Sequence, residues 1–185
     1  NRKKDQVVID DLKQDHLSLE AAACALTAFF LISKENSLNL GNIINSTNLK
    51  GRCDLVNKKF LLDVSHNPAS VLQLSRYIER NYKKSHKISA IFGVMQDKDV
   101  SDMVQSIKKH ISKWYATSPD IERSLPSKDL TNLLSELVTE EVVPTKSIKE
   151  AINAASEKSE TELVLIFGSF HTISEAFRVI KELKS

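Results

Sequence analysis

Apolar residues recur at helical spacing early in the chain and then give way to a polar stretch. Leu17, Ala21, Ala25 and Phe29 share one helical face, with good helix formers between them, which predicts a helix over this region. Residues 33–50 are rich in Asn, Ser and Gly. Such composition is typical of a connection between two folded bodies, so the sequence predicts a linker there.

Beyond residue 50, short apolar runs alternate with amphipathic segments. The runs predict strands near Asp54–Val56, Phe60–Val64, Ile88–Val94, Trp114–Thr117, Glu141–Val143 and Glu162–Phe167. Helical periodicity follows most of these strands. Ser127 and Thr145 are the expected N-caps of the third and fourth of the helices beyond residue 50. Repeated strand-helix units predict an α/β fold of the Rossmann-like type, a three-layer sandwich with a mostly parallel sheet and helices on both faces.

The connection between the first two predicted strands is short. Only residues 57–59 separate them, and a parallel crossover needs a dozen residues or more. We therefore expect the first strand to be antiparallel and to lie at an edge of the sheet.

Composition excludes several classes of protein. The net charge is +2, and the Lys and Arg residues are dispersed without interleaved aromatics, so no nucleic-acid partner is expected. The longest apolar stretch, residues 17–32, is too short and too polar to span a bilayer, so no membrane partner is expected either. The two cysteines, Cys24 and Cys53, form no disulfide framework or metal knuckle, which favours a reducing cytoplasm.

Candidate chemistry is concentrated where the strand at Phe60–Val64 ends and a helix begins. Asp63 and His66 follow its apolar residues, Asn67 is a favoured N-cap, and Pro68 suits the first helical position. A helix N-terminus carries about half a positive charge, and it would face the same place as this carboxylate and imidazole. Each residue alone also fits a structural role, as a cap or a hydrogen-bonding partner.

Glycines mark other strand ends with similar chemistry. Gly51 precedes Arg52, whereas Gly93 and Gly168 end two predicted strands. The polar residues that follow these ends are Ser65, His66 and Asn67, then Asp97, Lys98 and Asp99, then Ser169, His171 and Thr172. Carboxyl ends of parallel strands lie along one edge of a sheet, so we predict one ligand site.

The residue types at this edge suit an anionic ligand that carries a sugar. A carboxylate such as Asp63 accepts both ribose hydroxyls, and Arg52, Lys98 and a helix N-terminus hold phosphate or carboxylate oxygens. No compact metal spacing is present, so no metal site is expected here. The sequence also lacks a phosphate-loop motif and a dinucleotide fingerprint, which indicates that a partner domain supplies the phosphate cradle.

At these residues the sequence resembles the carboxyl-terminal domain of bifunctional folylpolyglutamate synthase/dihydrofolate synthase, in the Mur ligase superfamily. The matching segments, in order, are Gly51-Arg52, Leu62–Pro68, Ile91–Asp99, Lys113–Tyr115 and Val164–Thr172. The resemblance implies that residues 1–32 end the central ATPase domain, that residues 33–50 are the linker, and that residues 51–185 form the carboxyl-terminal α/β domain. The chain begins with Asn, and we expect it to be a piece of a longer protein that supplies the missing N-terminal ATPase domain.

The resemblance also implies a reaction. ATP phosphorylates a carboxylate of dihydropteroate or of a folate substrate, and the amino group of L-glutamate attacks the acyl phosphate. Mg²⁺ would be bound mainly by the missing domain, and the protein is expected to be a cytoplasmic monomer. By analogy, Arg52 and His66 are the catalytic candidates, and Arg52, Asp63, His66 and His16 are the ATP-binding candidates. The candidates for binding glutamate or substrate are Asn67, Lys98, Ser169, His171 and Thr172.

The chain departs from the family pattern at several places. Lys50 replaces the usual Pro, Val64-Ser65 replaces a pair of smaller residues, and His16 stands where an Asn facing the nucleotide is common. Two alternatives remain open: a non-catalytic module that binds a nucleotide or small acid, and a Mur ligase that acts on a cell-wall precursor.

Overall fold

The computed structural model describes residues 17, 19–33, 38–83, 86–157 and 163–183. Its helices are α1 Leu19–Ile32, α2 Leu40–Ser46, α3 Pro68–Asn81, α4 Val100–Ile107, α5 Ser127–Leu137, α6 Ile148–Ser156 and α7 Phe170–Glu182. Its strands are β1 Asp54–Val56, β2 Phe60–Asp63, β3 Ile88–Phe92, β4 Ile111–Ala116, β5 Glu141–Pro144 and β6 Leu163–Phe167. A 3₁₀ helix, Lys108–His110, follows α4.

The chain divides into two compact units, with the division between Leu49 and Lys50. The first contains α1 and α2. Helix α1 is apolar around most of its circumference, and Leu31 and Ile32 are more than three quarters exposed. The predicted site residue His16 lies outside the described residues, and the sequence-based division at residues 32 and 50 stays a prediction. Across the described residues, no helix has both the length and the apolar character needed to cross a bilayer.

The second unit is built on one six-stranded sheet. The strand order is β1-β2-β6-β3-β4-β5, and β1 pairs antiparallel with β2 at the edge. The other neighbours pair in parallel. This confirms the predicted mostly parallel sheet with one antiparallel edge strand.

Two hydrophobic cores cover the two faces of the sheet. On one face, α3, α4 and α5 pack against alternate strand residues, among which Phe92, Trp114 and Phe167 are fully buried. On the other face, α6 and α7 pack against the intervening strand residues, such as Leu62, Ile91 and Ile166. Because both faces are covered, the central strands read as continuous apolar runs, and the predicted three-layer sandwich is confirmed.

Two predicted helix caps are wrong. The capping position of α5 is Pro126, which makes no side-chain cap, and the cap of α6 is Ser147, whose hydroxyl accepts from the Glu150 amide. The hydroxyls of Ser127 and Thr145 instead donate to the carbonyl of Ala116, at 2.8 and 3.0 Å. The last residue of β4 therefore binds both hydroxyls, and this contact ties the starts of two helices to the sheet.

A half-buried histidine makes the stability of this unit depend on pH. The Nε2 atom of His110 lies 3.0 Å from the Ser75 hydroxyl of α3. Burial, followed by the charge of Lys109, lowers the pKa of His110, against the opposing effect of Glu79. The unfolded chain therefore binds more protons than the folded chain once pH falls below the ordinary histidine pKa of about 6.5.

We expect the free energy of unfolding to fall as pH decreases from about 6.5 towards the lowered pKa of His110. The substitution His110→Gln should weaken this pH dependence, because glutamine keeps a hydrogen-bonding group near Ser75 without titrating. Urea unfolding followed by the fluorescence of Trp114, the single tryptophan, measures the effect. The control is His86→Gln at an exposed ring, and an equal loss of pH dependence in both variants would contradict the assignment.

Candidate active-site edge

At β6, neighbouring strands of the sheet are followed by helices on opposite faces. The helix after β2 and the helix after β3 pack on one face, whereas α7, which follows β6, packs on the other. In open α/β sheets, ligands bind in the crevice at such a switch point, beyond the carboxyl ends of the strands. The backbone closes this crevice at its base, because the Gly168 amide donates to the Ser65 carbonyl at 3.0 Å.

Asp63 ends β2 and is 3% exposed. Its Oδ2 accepts from the Cys53 amide at 2.9 Å and from the Cys53 thiol at 3.4 Å. Its Oδ1 accepts from the Ser65 amide at 2.8 Å and also from the Ser65 hydroxyl. The carboxylate thus joins the segment that carries Arg52 to the turn that carries His66.

Arg52 lies on a strained turn that the rest of the unit holds in place. Gly51 has φ +74°, and the next residue but one, Cys53, has φ +45°. The Val64 amide donates to the Gly51 carbonyl at 2.8 Å, and a Cβ on Gly51 would lie 3.0 Å from a methyl group of Ile173. The Arg52 side chain is half-buried and makes no ion pair with another described residue. The fold therefore positions this cation without neutralising it.

The start of α3 confirms the local prediction. Asn67 is the N-cap, with its Oδ1 accepting from the Ser70 amide at 2.9 Å, and Pro68 begins the helix. Ser70 completes a capping box by accepting from the amides of His66 and Asn67. Since the cap uses its side-chain oxygen, Asn67 has its amide NH₂ group to offer a ligand.

His66 is half-buried at the mouth of the crevice. Its Nδ1 lies 2.9 Å from the Val64 carbonyl, and its ring lies 5.5 Å from the ring of Phe170, at the start of α7. A carbonyl oxygen only accepts, so in the neutral ring the network assigns the proton to Nδ1 and leaves Nε2 as an acceptor. The contact between the His66 and Phe170 rings bridges the ends of β2 and β6.

Ser169 and Thr172 are buried where β6 meets α7. Ser169 is the N-cap of α7 and accepts from the Thr172 amide at 3.0 Å. The Thr172 hydroxyl lies 2.8 Å from that of Ser169 and donates to the Gly93 carbonyl at 2.7 Å. Both side chains therefore hold α7 against the end of β3, and their predicted contact with glutamate stays a prediction.

The two strand-end glycines allow close packing between neighbouring strands. A Cβ on Gly168, where φ is +117°, would lie 2.4 Å from the Gly93 carbonyl and 2.9 Å from the ring of Phe92. A Cβ on Gly93 would lie 3.0 Å from the Thr172 hydroxyl. These glycines therefore make room for a neighbouring backbone and its side chains.

We expect Thr172→Val to lower the free energy of unfolding by about 1–2 kcal/mol, because the buried Gly93 carbonyl loses its donor. Urea unfolding measures this change. The control is Thr131→Val in α5, whose hydroxyl donates within its own helix to Ser127 at 2.7 Å and is half-buried. A loss no larger at Thr172 than at Thr131 would contradict the structural role.

Lys98 lies in the loop that follows β3, on the same edge of the sheet. Its ammonium is 2.6 Å from Asp97, and Arg123 lies 3.5 Å from the other oxygen of that carboxylate. The hydrogen bond from Lys98 is the main reason why the pKa of Asp97 lies below its usual value. Lys98 is 28% exposed. A ligand carboxylate would therefore compete with Asp97 for this lysine.

His171 faces a different part of the same edge. It is exposed and lines a groove of about 530 Å³ between α7, the start of α6 and the loop after β4. Acidic and basic side chains alternate in this groove, including Asp120, Glu175 and Arg178. Its side chain makes no hydrogen bond or ion pair with the other predicted site residues in the described part of the chain.

The structure thus connects six of the predicted residues by direct contacts or through one intermediate. They are Arg52, Asp63, His66, Asn67, Ser169 and Thr172. Sequence reasoning missed Phe170, which is 58% exposed at the mouth of the crevice. The signal was available, since a large aromatic stands between two polar residues at a predicted strand end.

Residues 51–170, more than half of the chain, match the family model described as Mur ligase, glutamate ligase domain. The chain belongs to this family. The dihydrofolate synthase/folylpolyglutamate synthase of Buchnera aphidicola subsp. Schizaphis graminum is 31% identical over 93% of the chain and 41% of the relative. The Escherichia coli enzyme with the same description is 28% identical over 89% of the chain and 38% of the relative. The chain thus spans about two fifths of these relatives.

Solved structures agree with this family assignment. The structure of E. coli FolC in complex with DHPP and ADP has a TM-score of 0.83 and 26% identity, over 95% of the chain and 42% of FolC. A bifunctional folylpolyglutamate synthase/dihydrofolate synthase from Yersinia pestis, complexed with AMPPNP and Mn ion, has a TM-score of 0.78 over 93% of the chain and 41% of that protein. Its 22% identity supports the fold alone. The resemblance inferred from the sequence is confirmed.

Proposed function

We propose that this glutamate ligase domain forms one side of the catalytic cleft of an ATP-dependent acid–amino-acid ligase. The enzyme would add L-glutamate to dihydropteroate, to folylpolyglutamate, or to both, through an acyl phosphate. The proposal rests on one observation. Arg52, Asp63 and His66 are connected to one another along one edge of the sheet, at a switch point. Sequence similarity to dihydrofolate synthase/folylpolyglutamate synthase supports the choice of substrates.

Each residue has a role that its surroundings support. Arg52, which forms no ion pair with any described residue, would bind the γ-phosphate of ATP, where negative charge spreads during phosphoryl transfer. The family analogy places Asp63 at the ribose. Asp63 also accepts four hydrogen bonds from within the domain, and these hold the residues of the edge in position. Asn67, Lys98 and His171 would bind glutamate or the acceptor, with Ser169 and Thr172 supporting them from the interior.

The remaining parts of the site belong to the proposed N-terminal ATPase domain. His16 would contact the nucleotide there. Mg²⁺ would be held mainly by that domain and would neutralise phosphate charge during transfer. Within the described residues, no three His, Cys, Asp or Glu side chains are grouped to hold a metal ion. We further propose a cytoplasmic, monomeric enzyme; the cytoplasmic location fits a chain whose two cysteines, Cys24 and Cys53, are too few for a disulfide framework.

The experiment uses the full-length protein, ATP, Mg²⁺ and radiolabelled glutamate, with dihydropteroate and tetrahydrofolate as separate acceptors. We expect ATP-dependent incorporation of label into at least one acceptor. The 185-residue chain alone should incorporate none, because the proposed phosphate cradle lies elsewhere. Incorporation by the isolated chain, or none by the full-length protein with either acceptor, would contradict the proposal.

A further inference from the structure

We infer that His66 accepts a proton from the ammonium group of the incoming glutamate, and that Phe170 is the positioning residue that orients its ring. This inference rests on the proposed function and deepens it. The first observation is the hydrogen-bonding state of the ring. Because Nδ1–H is directed to the Val64 carbonyl at 2.9 Å, Nε2 is an acceptor.

Because Nε2 is an acceptor, His66 can bind only a ligand group that donates a hydrogen bond. Phosphate and carboxylate oxygens also accept, so they give Nε2 of the neutral ring no hydrogen bond. The donors available from the substrates are the glutamate ammonium, the adenine amino group and the ribose hydroxyls. Only the ammonium must lose a proton before it can react, because a protonated nitrogen has no lone pair.

The second observation is the environment of Phe170. Its ring is 58% exposed, although the central strands bury the phenylalanines Phe60, Phe92 and Phe167. It lies 5.5 Å from the His66 ring at an interplanar angle of 48°, across the boundary between β2 and β6. The Ser169 cap fixes the start of α7, and therefore the position of Phe170. The imidazole is thus held by a carbonyl at one nitrogen and by an aromatic ring beside it.

The chemical step transfers one glutamate proton to His66 and a second to the departing phosphate. One ammonium proton moves to Nε2 of His66, and the amine lone pair forms a C–N bond with the acyl carbon. The bond between this carbon and the phosphate oxygen breaks, and the second proton leaves the nitrogen with the phosphate. The products are the amide, hydrogen phosphate and a protonated His66, which returns its proton to water.

The experiment compares two nucleophiles in the full-length enzyme. Hydroxylamine is uncharged at neutral pH and attacks an acyl phosphate without needing a base, giving a hydroxamate that is measured by its colour with iron. We expect His66→Gln to reduce glutamate ligation by about 100-fold or more, within the usual range for a lost general base. Hydroxamate formation should fall far less than glutamate ligation, because forming the acyl phosphate requires no proton to be removed from glutamate, although the resemblance also places His66 near ATP.

Phe170 is tested in the same two reactions. Phe170→Ala should reduce glutamate ligation by about tenfold, as expected for a misplaced catalytic group, with hydroxamate formation unchanged. Phe170→Tyr, which keeps the ring, should restore ligation. Leu133→Ala, at a 40%-exposed residue of α5, is the control and should behave as wild type.

The outcomes separate this inference from the proposed function. If the wild-type enzyme forms neither product, the proposed function itself is wrong. If the wild type is active and His66→Gln loses both reactions equally, or keeps glutamate ligation, the role of His66 as proton acceptor is wrong. If Phe170→Ala matches Leu133→Ala, or if the tyrosine variant fails to restore ligation, the positioning role of Phe170 is wrong.

Discussion

Replacing Arg52 by alanine in the full-length enzyme should lower kcat for glutamate ligation by about 100-fold or more. Removal of one preorganised group that stabilises transition-state charge typically has this effect. The side chain is half-buried and has no ion pair among the described residues, so the fold does not depend on its charge. Initial rates measured with saturating ATP and glutamate give kcat directly.

The matched control for this prediction is Arg80→Ala at the exposed carboxyl end of α3, far along the helix from the crevice. It removes the same charge and should leave kcat within about twofold, as usual for a surface change. Urea unfolding should give similar free energies for both variants. A kcat for Arg52→Ala close to that of Arg80→Ala would show that this guanidinium does not act in phosphoryl transfer.

Replacing Asp63 by asparagine should affect both stability and turnover. The carboxylate is 3% exposed and accepts four hydrogen bonds from Cys53 and Ser65. Asparagine replaces one acceptor oxygen by an NH₂ group, so one buried backbone amide then faces another donor. We expect the free energy of unfolding of the 185-residue chain to fall by about 2–4 kcal/mol. Ligation by the full-length enzyme should fall as Arg52 and His66 lose their common support.

Asp102→Asn serves as the control for Asp63, because Asp102 is exposed in the first turn of α4. Losing a charge there should cost only about 0.3–1 kcal/mol. Urea unfolding followed at Trp114 compares the two variants. Equal stabilities for Asp63→Asn and wild type would mean that the carboxylate does not hold the edge together, and only its predicted contact with ribose would remain.

The sequence predicted the elements better than their arrangement. All six strands were located within about three residues of their observed limits. The central ones were the clearest, because a strand covered on both faces is a continuous apolar run. The insertion of β6 between β2 and β3 was not predictable from local periodicity, since it depends on pairing between residues 75 to 104 positions apart. The wrong N-caps at Ser127 and Thr145 have the same origin, because the carbonyl they bind belongs to β4.

The features of the site also divide into local ones, which could be predicted from the sequence, and non-local ones, which could not. The helix start at Asn67 and Pro68 was predictable because capping is a local interaction. The burial of Thr172 and the four hydrogen bonds of Asp63 depend on segments that only folding brings together. The sequence therefore predicted a shared edge, whereas the structure separates a residue such as Arg52, which has no ion pair among the described residues, from those that hold the edge in place.

Hydrogen exchange of the full-length protein, with and without a non-hydrolysable ATP analogue and glutamate, tests most directly whether the ends of β2 and β6 form one ligand cleft. We expect slower exchange in peptides that contain Arg52, His66 and Phe170 when both ligands are present. Peptides that contain His110, in the 3₁₀ helix before β4, should be unchanged. Protection confined to regions outside residues 51–185, or spread equally over His110, would contradict a shared cleft at this edge.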